Sequence, residues 1–453
     1  MSAVQAIPIK LYPRLTRGRF NNWRVGFVVV TQLLYFGLPW LPWHGRQALW
    51  FDLTGGRFHL FGLTLLPQDM VYLAALLMAS AFGLFLWTTL SGRLWCGFSC
   101  PQTVYTEIML WIERWTEGKP AARRALDAAP WSLNKLTRKG GKHALMVAFS
   151  LWTGLTLVGY FSPLRELAAG LPTLAIGPWE AFWALFYAGF TYLLAGVLRE
   201  KVCLHMCPYA RFQGAMFDPD TQLVAYDARR GEPRGALRKD AAPGVARGDC
   251  VDCGLCVQVC PTGIDIRAGL QYECIGCAAC IDACDAVMDK IGAPHGLIRF
   301  TTQRAEDGGD ARARRLWQRP RVLVYGGLLA VLLVLTVTGL LHHTPYKLDV
   351  LRDRASLVRE GDDGWLENSY SLRVMNGDER AHRFRIEVEG LPGARLRDGG
   401  QVMVPPLTVA TVGVRVAADP ATVARGSQPL RFVLRAADAP EQKVTADSSF
   451  IGE

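Results

Sequence analysis

The sequence predicts a multi-pass α-helical membrane protein with a cysteine-rich module ahead of its last span and a small β-sandwich at its carboxyl end. Three observations predict it: five apolar runs of near-spanning length, a bias of Lys and Arg toward alternate connecting segments, and twelve cysteines confined to four tight groups. Of 453 residues, 50% are hydrophobic and 20% charged, which excludes a disordered chain and argues against a purely soluble enzyme.

A hydrocarbon core about 30 Å thick takes about 20 apolar residues in a helix. The runs at 24–42, 69–90, 143–161, 178–198 and 322–341 meet or nearly meet that length. The first reads as a retained anchor. It is too long for a signal-peptide core, and Pro39, Trp40, Pro42 and Trp43 stand where a cleavage site would need small residues.

Basic segments stay on the cytoplasmic side of a membrane. Residues 1–24 carry five basic residues and no acid, and loop 91–142 carries nine basic and four acidic residues. By contrast, loop 43–68 has only Arg46 and Arg57, and loop 162–177 has only Arg165. The expected order is a basic arm 1–23, a hairpin 24–90, a cytoplasmic loop 91–142, a second hairpin 143–198 and a cytoplasmic linker 199–249. The module 250–290, a basic linker 291–321, a fifth span 322–341 and an outer domain 342–453 follow. The linker 291–321 carries Arg312, Arg314, Arg315, Arg319 and Arg321. The tail has 15 basic and 16 acidic residues, so the net charge of +10 lies elsewhere. It reflects topology and contact with anionic lipid rather than nucleic-acid binding.

On this topology every cysteine is cytoplasmic, the reverse of a disulfide-bonded protein, so metal ligation or redox work is the better reading. Cys250, Cys253, Cys256 and Cys260 stand as C-x2-C-x2-C-x3-C before Pro261, and Cys274, Cys277, Cys280 and Cys284 repeat the spacing after 13 residues. Three thiolates at such gaps wrap one corner of a 4Fe-4S cube while the fourth reaches the other cube. The expected sets are Cys250, Cys253, Cys256 and Cys284 for one cluster, and Cys274, Cys277, Cys280 and Cys260 for the other. Gly254, Gly276, Ala278 and Ala279 allow close backbone approach. Zinc is the competing reading, but it usually needs two widely separated C-x2-C pairs. Asp285, where bacterial ferredoxins have proline, and the short interval are departures that remove no ligand. The module therefore reads as a bacterial dicluster ferredoxin-like unit.

Two further pairs, Cys96 with Cys100 before Pro101 and Cys203 with Cys207 before Pro208, are both C-x3-C-P at expected helix ends, 107 residues apart. Arg93 and Arg199 precede them, as in a duplicated hairpin. On a continuing helix each pair would share one face, or the prolines could open new helices and leave the cysteines in turns. Four readings compete: a soft-metal site to which His205 and Met206 add ligands suited to Cu(I), a third iron-sulfur cluster, buried structural thiols, and a reversible dithiol. His44, His59, His143, His295 and His382 stand alone, and His342 and His343 sit at the end of the last span, so all read as solvated, packed or interfacial.

Loop 111–142 is amphipathic and is expected along the membrane surface, with Trp111, Trp115 and Trp131 as anchors. Residues 220–249 read as a tether. Alternation at Phe384, Ile386 and Val388, at Val402 and Val404, at Val412, Val414 and Val416, and over 429–435 and 443–450, with Asn376-Gly377 as a turn, predicts the sandwich of about 90 residues. No G-x-G-x-x-G after a strand, Walker loop or C-x-x-C-H is present, so electrons are expected from another protein or from quinol.

The run from Cys250 to Asp285, with C-P-T-G-I-D-I-R and G-L-Q-Y-E-C-I-G-C-A-A-C-I-D-A-C-D, resembles the CcoG (FixG, RdxA) cytochrome c oxidase accessory proteins, as do W-I-E-R at 111–114 and C-P-Y-A-R-F-Q at 207–213. The resemblance covers essentially the whole chain and implies a bacterial inner-membrane protein with an immunoglobulin-like outer domain. The implied activity is reduction of Cu(II) to Cu(I) for assembly of a cbb-type oxidase. The eight module cysteines would hold two 4Fe-4S clusters, and Cys96, Cys100, Cys203 and Cys207 would be copper-linked or redox-linked. Partners so implied are copper ions, oxidase assembly factors or a copper chaperone or transporter, an unidentified electron donor and membrane lipid. A quinol-fed electron conduit and a non-enzymatic assembly scaffold are the alternative classes.

Overall fold

The computed structural model describes residues 11–236, 247–308, 315–352, 358–361, 363–438 and 443–452. Residues 1–10 of the basic arm, 237–246 of the expected tether, and Arg312 and Arg314 lie outside the described residues. The chain divides into two units, one built from residues 1–62 and 71–334, the other from 63–70 and 335–453.

The larger unit is helical. Its helices are α1 Arg19–Gly37, α2 Met70–Ser91, α3 Leu94–Phe98, α4 Pro101–Glu117, α5 Pro120–Ala128, α6 Leu133–Val158, α7 Leu164–Gly170 and α8 Pro178–Thr191. Then come α9 Pro208–Phe212, α10 Ala228–Gly231, α11 Leu255–Val259, α12 Ala279–Ile291 and α13 Gln303–Glu306, with α14 Pro320–Leu341, whose residues 335–341 belong to the smaller unit. Among the described residues, three helical stretches are long and apolar enough to cross a membrane: Met70–Ser91, Pro178–Leu198 and Pro320–Leu341. The first and third expected spans coincide instead with α1 and α6, whose opening turns are polar. Arg19, Asn21, Asn22 and Arg24 begin one, and Lys135, Arg138, Lys139 and Lys142 begin the other. These charges shorten the uninterrupted apolar stretch of each helix.

The polar turns are held by buried ion pairs. Arg24 pairs with Glu107 of α4 at 2.6 Å. Glu113 and Glu117, both buried, meet Arg123 of α5, Lys139 and Lys142 of α6, and Arg199, with Lys142–Glu117 and Arg199–Glu113 both at 2.9 Å. The amphipathic segment 111–142 thus folds Glu113, Glu117, Arg123 and Lys142 inward as a helical layer, while Arg114, Lys119, Arg124, Trp115 and Trp131 stay exposed. Buried charges persist when each is paired, since removing one partner strands the other at a cost of about 3–5 kcal/mol. Helices α6 and α8 approach closely because Gly154 lies under Ala184, where a Cβ would sit 2.2 Å from the carbonyl oxygen.

The cysteine-rich module is bracketed by strands rather than by free linkers. Leu223–Tyr226 pairs antiparallel with Ile298–Thr301, so part of the expected tether and part of the linker 291–321 form one ribbon. Four-residue strands with single-residue alternation are too short to stand out from loop sequence. Arg304 pairs with Asp220 at 2.8 Å, and Arg319 with Asp218 at 2.8 Å, both beyond the end of the ribbon where Leu223 faces Thr301.

In the smaller unit two antiparallel sheets pack face to face. One has the order Arg395–Leu396, Thr408–Ala418, Leu366–Asn376, Tyr346–Arg352, with Arg359–Glu360 beside Leu366–Asn376. The other runs Gln401–Val404, His382–Glu389, Gly426–Ala436, Lys443–Gly452. Alternating inward residues supply the core, in which Leu372, Phe384, Val404, Val416, Phe432 and Phe450 are fully buried. Tyr370 meets Phe432 edge to face at 5.0 Å. His382 is buried, with Asp378 and Asp438 each at 2.8 Å. Phe432→Ala is expected to cost about 3–5 kcal/mol, measured by denaturant unfolding of the detergent-solubilised chain followed by intrinsic fluorescence. A loss under about 1 kcal/mol would mean that Phe432 does not carry this core.

Candidate iron-sulfur and thiol centres

The module repeats one backbone design. Asp252 and Gly254 in the first half, and Gly276 and Ala278 in the second, all have φ between 52° and 66°. These left-handed residues flank Cys253 and Cys277 and turn the chain into α11 and α12, which present Cys256 and Cys280 from their first turns. Two of the four positions are not glycine, and Ala278 is buried, so packing holds a conformation that the local sequence disfavours. A Cβ on Gly276 would meet the Arg93 backbone at 3.1 Å. Its small size thus admits a neighbouring segment of chain.

Cys250, Cys253, Cys256 and Cys284 line one small cavity. Cys260, Cys274, Cys277 and Cys280 line a second, which Cys256 also touches. This is the crossed partition that the ligand spacing gives, with the fourth cysteine of each run lining the cavity of the other. Burial pushes the Cys256 thiol up to about 11 and the Cys274 and Cys284 thiols up to about 12. Neighbouring thiols raise Cys280 further.

The donor set fits cubane clusters. Each cavity gathers four soft thiols in an apolar shell that includes Ile264, Ile266 and Ile275 in one, and Val287, Leu297 and Ile298 in the other. A single zinc ion about 2.3 Å from each sulfur would need the sulfurs nearly in contact. Among the described residues no three His, Cys, Asp or Glu side chains converge in that way. When bound, such clusters supply one-electron carriage. Sequence reading missed the second layer: Thr262 Oγ1 lies 3.3 Å from Cys260 Sγ, and Arg267 lines the first cavity while bound to Asp265 at 2.7 Å. No spacing rule marks either residue, because their placement depends on the turn after Cys260.

The C-x3-C-P cysteines sit at helix breaks. Helix α3 ends at Phe98, and Cys100 then caps α4 with Pro101 in its first position; Cys207 caps α9 in the same way ahead of Pro208. The turn reading therefore holds over the continuous helix. The second pair arrives differently: two i→i+5 turns, Leu194 to Arg199 at 2.7 Å and Val202 to Cys207 at 2.8 Å, flank Arg199. Arg199 has φ 49° and ψ −118°, a strained combination for a side chain. It is held by Glu113 and by Gln102, whose Nε2 donates to its carbonyl at 3.1 Å.

The four thiols are electrostatically coupled, although among the described residues no three of them gather closely enough to hold one metal ion. Burial first, then the other three cysteines, push Cys96 up to about 12; burial, then Cys100 and Cys207, push Cys203 up to about 11. Burial raises Cys100 as well, opposed by the amides of Thr103 and Gln102. Buried Arg93 is electrostatically coupled to Cys96, Cys203, Cys207 and Cys274, and donates to the Cys274 carbonyl at 3.2 Å and to the Ala210 carbonyl. Cys96 and Cys203 pack on the same small core as Cys277 and Cys280. A Cβ on Gly97 would lie 2.7 Å from Cys277 Cα. His205 and Met206 are both exposed, Met206 at 57%.

Three family models match: "4Fe-4S binding domain" over 73–120, "4Fe-4S dicluster domain" over 198–303, and "IG-like fold at C-terminal of FixG" over 336–453. The nitrogen fixation protein FixG of Rhizobium meliloti is 39% identical over 426 residues, 86% of this chain and 81% of that protein. Protein RdxA of Cereibacter sphaeroides is 38% identical over 450 residues, 95% and 94% of the two chains, and RdxB of the same organism is 37% identical over 413 residues.

Anaerobically purified protein is expected to carry about eight irons in the module. Cys284→Ser should remove about four of them while the other cluster's EPR signal on reduction persists. Stoichiometric zinc without such a signal would reject the assignment.

Proposed function

The chain belongs to the FixG/RdxA family of iron-sulfur redox proteins, and from that premise we propose that it reduces Cu(II) to Cu(I) for assembly of a cbb-type cytochrome c oxidase. One observation carries the proposal: one thiol of each C-x3-C-P pair, Cys96 and Cys203, packs on the core that holds Cys277 and Cys280, and each is electrostatically coupled to the other pair. A one-electron centre there would be adjacent to a soft-ligand site, and copper cycles by one electron. Thiolates favour Cu(I) over Cu(II), so they promote reduction and retain the product. Arg93 favours the thiolate forms that such binding requires. Two sulfurs are enough for Cu(I), so Cys96, Cys100, Cys203 and Cys207 are the proposed substrate site without His205 or Met206.

The basic residues of the arm, loop 91–142 and linker 291–321 support a cytoplasmic location for this chemistry in the proposed five-pass topology, with the terminal sandwich proposed outside as a docking domain for assembly partners. Reporter fusions at 240 and 400 test this, with opposite activities on the two sides expected. Protection of the tail from protease added outside would overturn it.

A second reading has its own support. Four coupled thiols, with a 4Fe-4S model matching over 73–120, suit a third cluster that passes electrons onward. Iron content separates the two, about eight irons per chain for the first reading and about twelve for the second. Under the copper reading, Cys203→Ser with Cys207→Ser is expected to keep both module clusters and slow Cu(II)-driven reoxidation of dithionite-reduced protein at least tenfold. Unchanged rates and Cu(I) affinity in that variant and in its Cys96/Cys100 counterpart would move the copper site elsewhere.

A further inference from the structure

A cleft of about 970 Å³ opens between the segment before α1, helices α4 and α5, and the module. Seven cations line it; Arg24 and Arg123 pair with Glu107 and Glu113, which leaves five, Arg14, Arg17, Arg114, Lys119 and Arg124. All five are exposed, and none has a carboxylate partner among the described residues. The one carboxylate in the lining, Glu107, is already engaged by Arg24 at 2.6 Å and by the Trp111 indole at 3.0 Å. The cleft therefore carries a concentrated, uncompensated positive charge. Its floor is Gln258, Val259, Pro261 and Ala279, residues that flank Cys260 and Cys280. The Arg14 amide donates to the Gln258 carbonyl at 2.8 Å, which ties the basic wall to that floor.

We propose that this cleft binds a phosphate-bearing flavin, the electron source for the centre held by Cys260, Cys274, Cys277 and Cys280. The proposal rests on the reading of the chain as a redox protein but not on copper as its substrate. A concave site of this size is in the range taken by small cofactors, and a protein surface would not fill it. Arginine forks recognise phosphate in two-point fashion, which a Gly-rich phosphate loop would otherwise provide and which this sequence lacks. Quinol, being uncharged, would make no use of five cations. A nicotinamide delivers its two electrons together as hydride, whereas the acceptors here take one each. A dihydroflavin closes the account: it loses two electrons in single steps, one for each of two clusters, and two protons to solvent, and becomes the oxidised flavin.

The test titrates oxidised FMN into the full-length protein in detergent under anaerobic conditions and follows quenching of flavin fluorescence. Riboflavin, inorganic phosphate and phosphatidylglycerol vesicles serve as comparisons. FMN is expected to bind at least tenfold more tightly than riboflavin, and inorganic phosphate is expected to compete. The triple variant R14Q/R114Q/R124Q is expected to bind FMN at least tenfold more weakly with unchanged iron content, since all three side chains are exposed. Equal affinity for FMN and riboflavin, or unaltered FMN binding by the variant, would overturn the proposal. So would vesicle binding that the variant loses in a protein that does not quench FMN, an outcome that assigns the cations to lipid. No copper enters this measurement, so its failure is distinct from failure of Cu(II)-driven reoxidation in dithionite-reduced protein.

Discussion

Contact of backbone with backbone between the 93–97 turn and the 274–277 loop is the constraint on which the helical unit depends. Gly97 faces main chain across a gap that admits no Cβ, and at Gly276 a Cβ would crowd the Arg93 backbone at 3.1 Å on a residue whose φ is +66°. Arg93 then bonds carbonyls on both the module and α9. Any larger residue at Gly97 would push the first thiol pair away from the loop bearing Cys274 and Cys277. The distance between the thiol site and the module is thus set by covalent geometry rather than by adjustable side chains, which suits a function that needs a fixed separation.

A second tie joins the first helix to the module. The Asp282 carboxylate, on α12 between Cys280 and Cys284, accepts from the Phe20 and Asn21 amides at 3.1 and 2.7 Å. It caps α1 from a distant part of the chain. Gly18 leaves room for it, since a Cβ there would lie 2.4 Å from the carboxyl carbon. With Arg24–Glu107 and the Glu113–Glu117 cluster, this makes a rigid base in which each buried charge depends on a partner from another helix.

Much of this was legible in the sequence where chemistry forces spacing. The ligand partition of the eight module cysteines follows from three thiols wrapping a corner, so the register alone dictates it. The sandwich strands from Phe384 to Val416 announce themselves by period-two alternation. What stayed hidden depends on tertiary partners. Leu223–Tyr226 and Ile298–Thr301 are strands because they find each other across the module, and in isolation they read as linker. Segment 111–142 has the moment of a surface helix, but part of its charge turns inward because Arg123, Lys139, Lys142 and Arg199 gather on Glu113 and Glu117. His205 and Met206 carry ligand-capable atoms, yet the turn closing on Cys207 leaves both exposed.

The two i→i+5 turns around Arg199 have a consequence for the apparent duplication. Each holds one residue more than an α-turn, and one added residue rotates everything after it by about 100° about the helix axis. The first C-x3-C-P follows an ordinary turn through Gly92, while the second follows two such insertions. Identical letters are therefore delivered along different paths, and no two-fold axis can exchange the pairs. Cys100 sits at the head of a 17-residue helix and Cys207 at the head of a five-residue one, so the two sulfurs face unequal dipoles. The repeated motif thus yields four cysteines that are not equivalent in their surroundings.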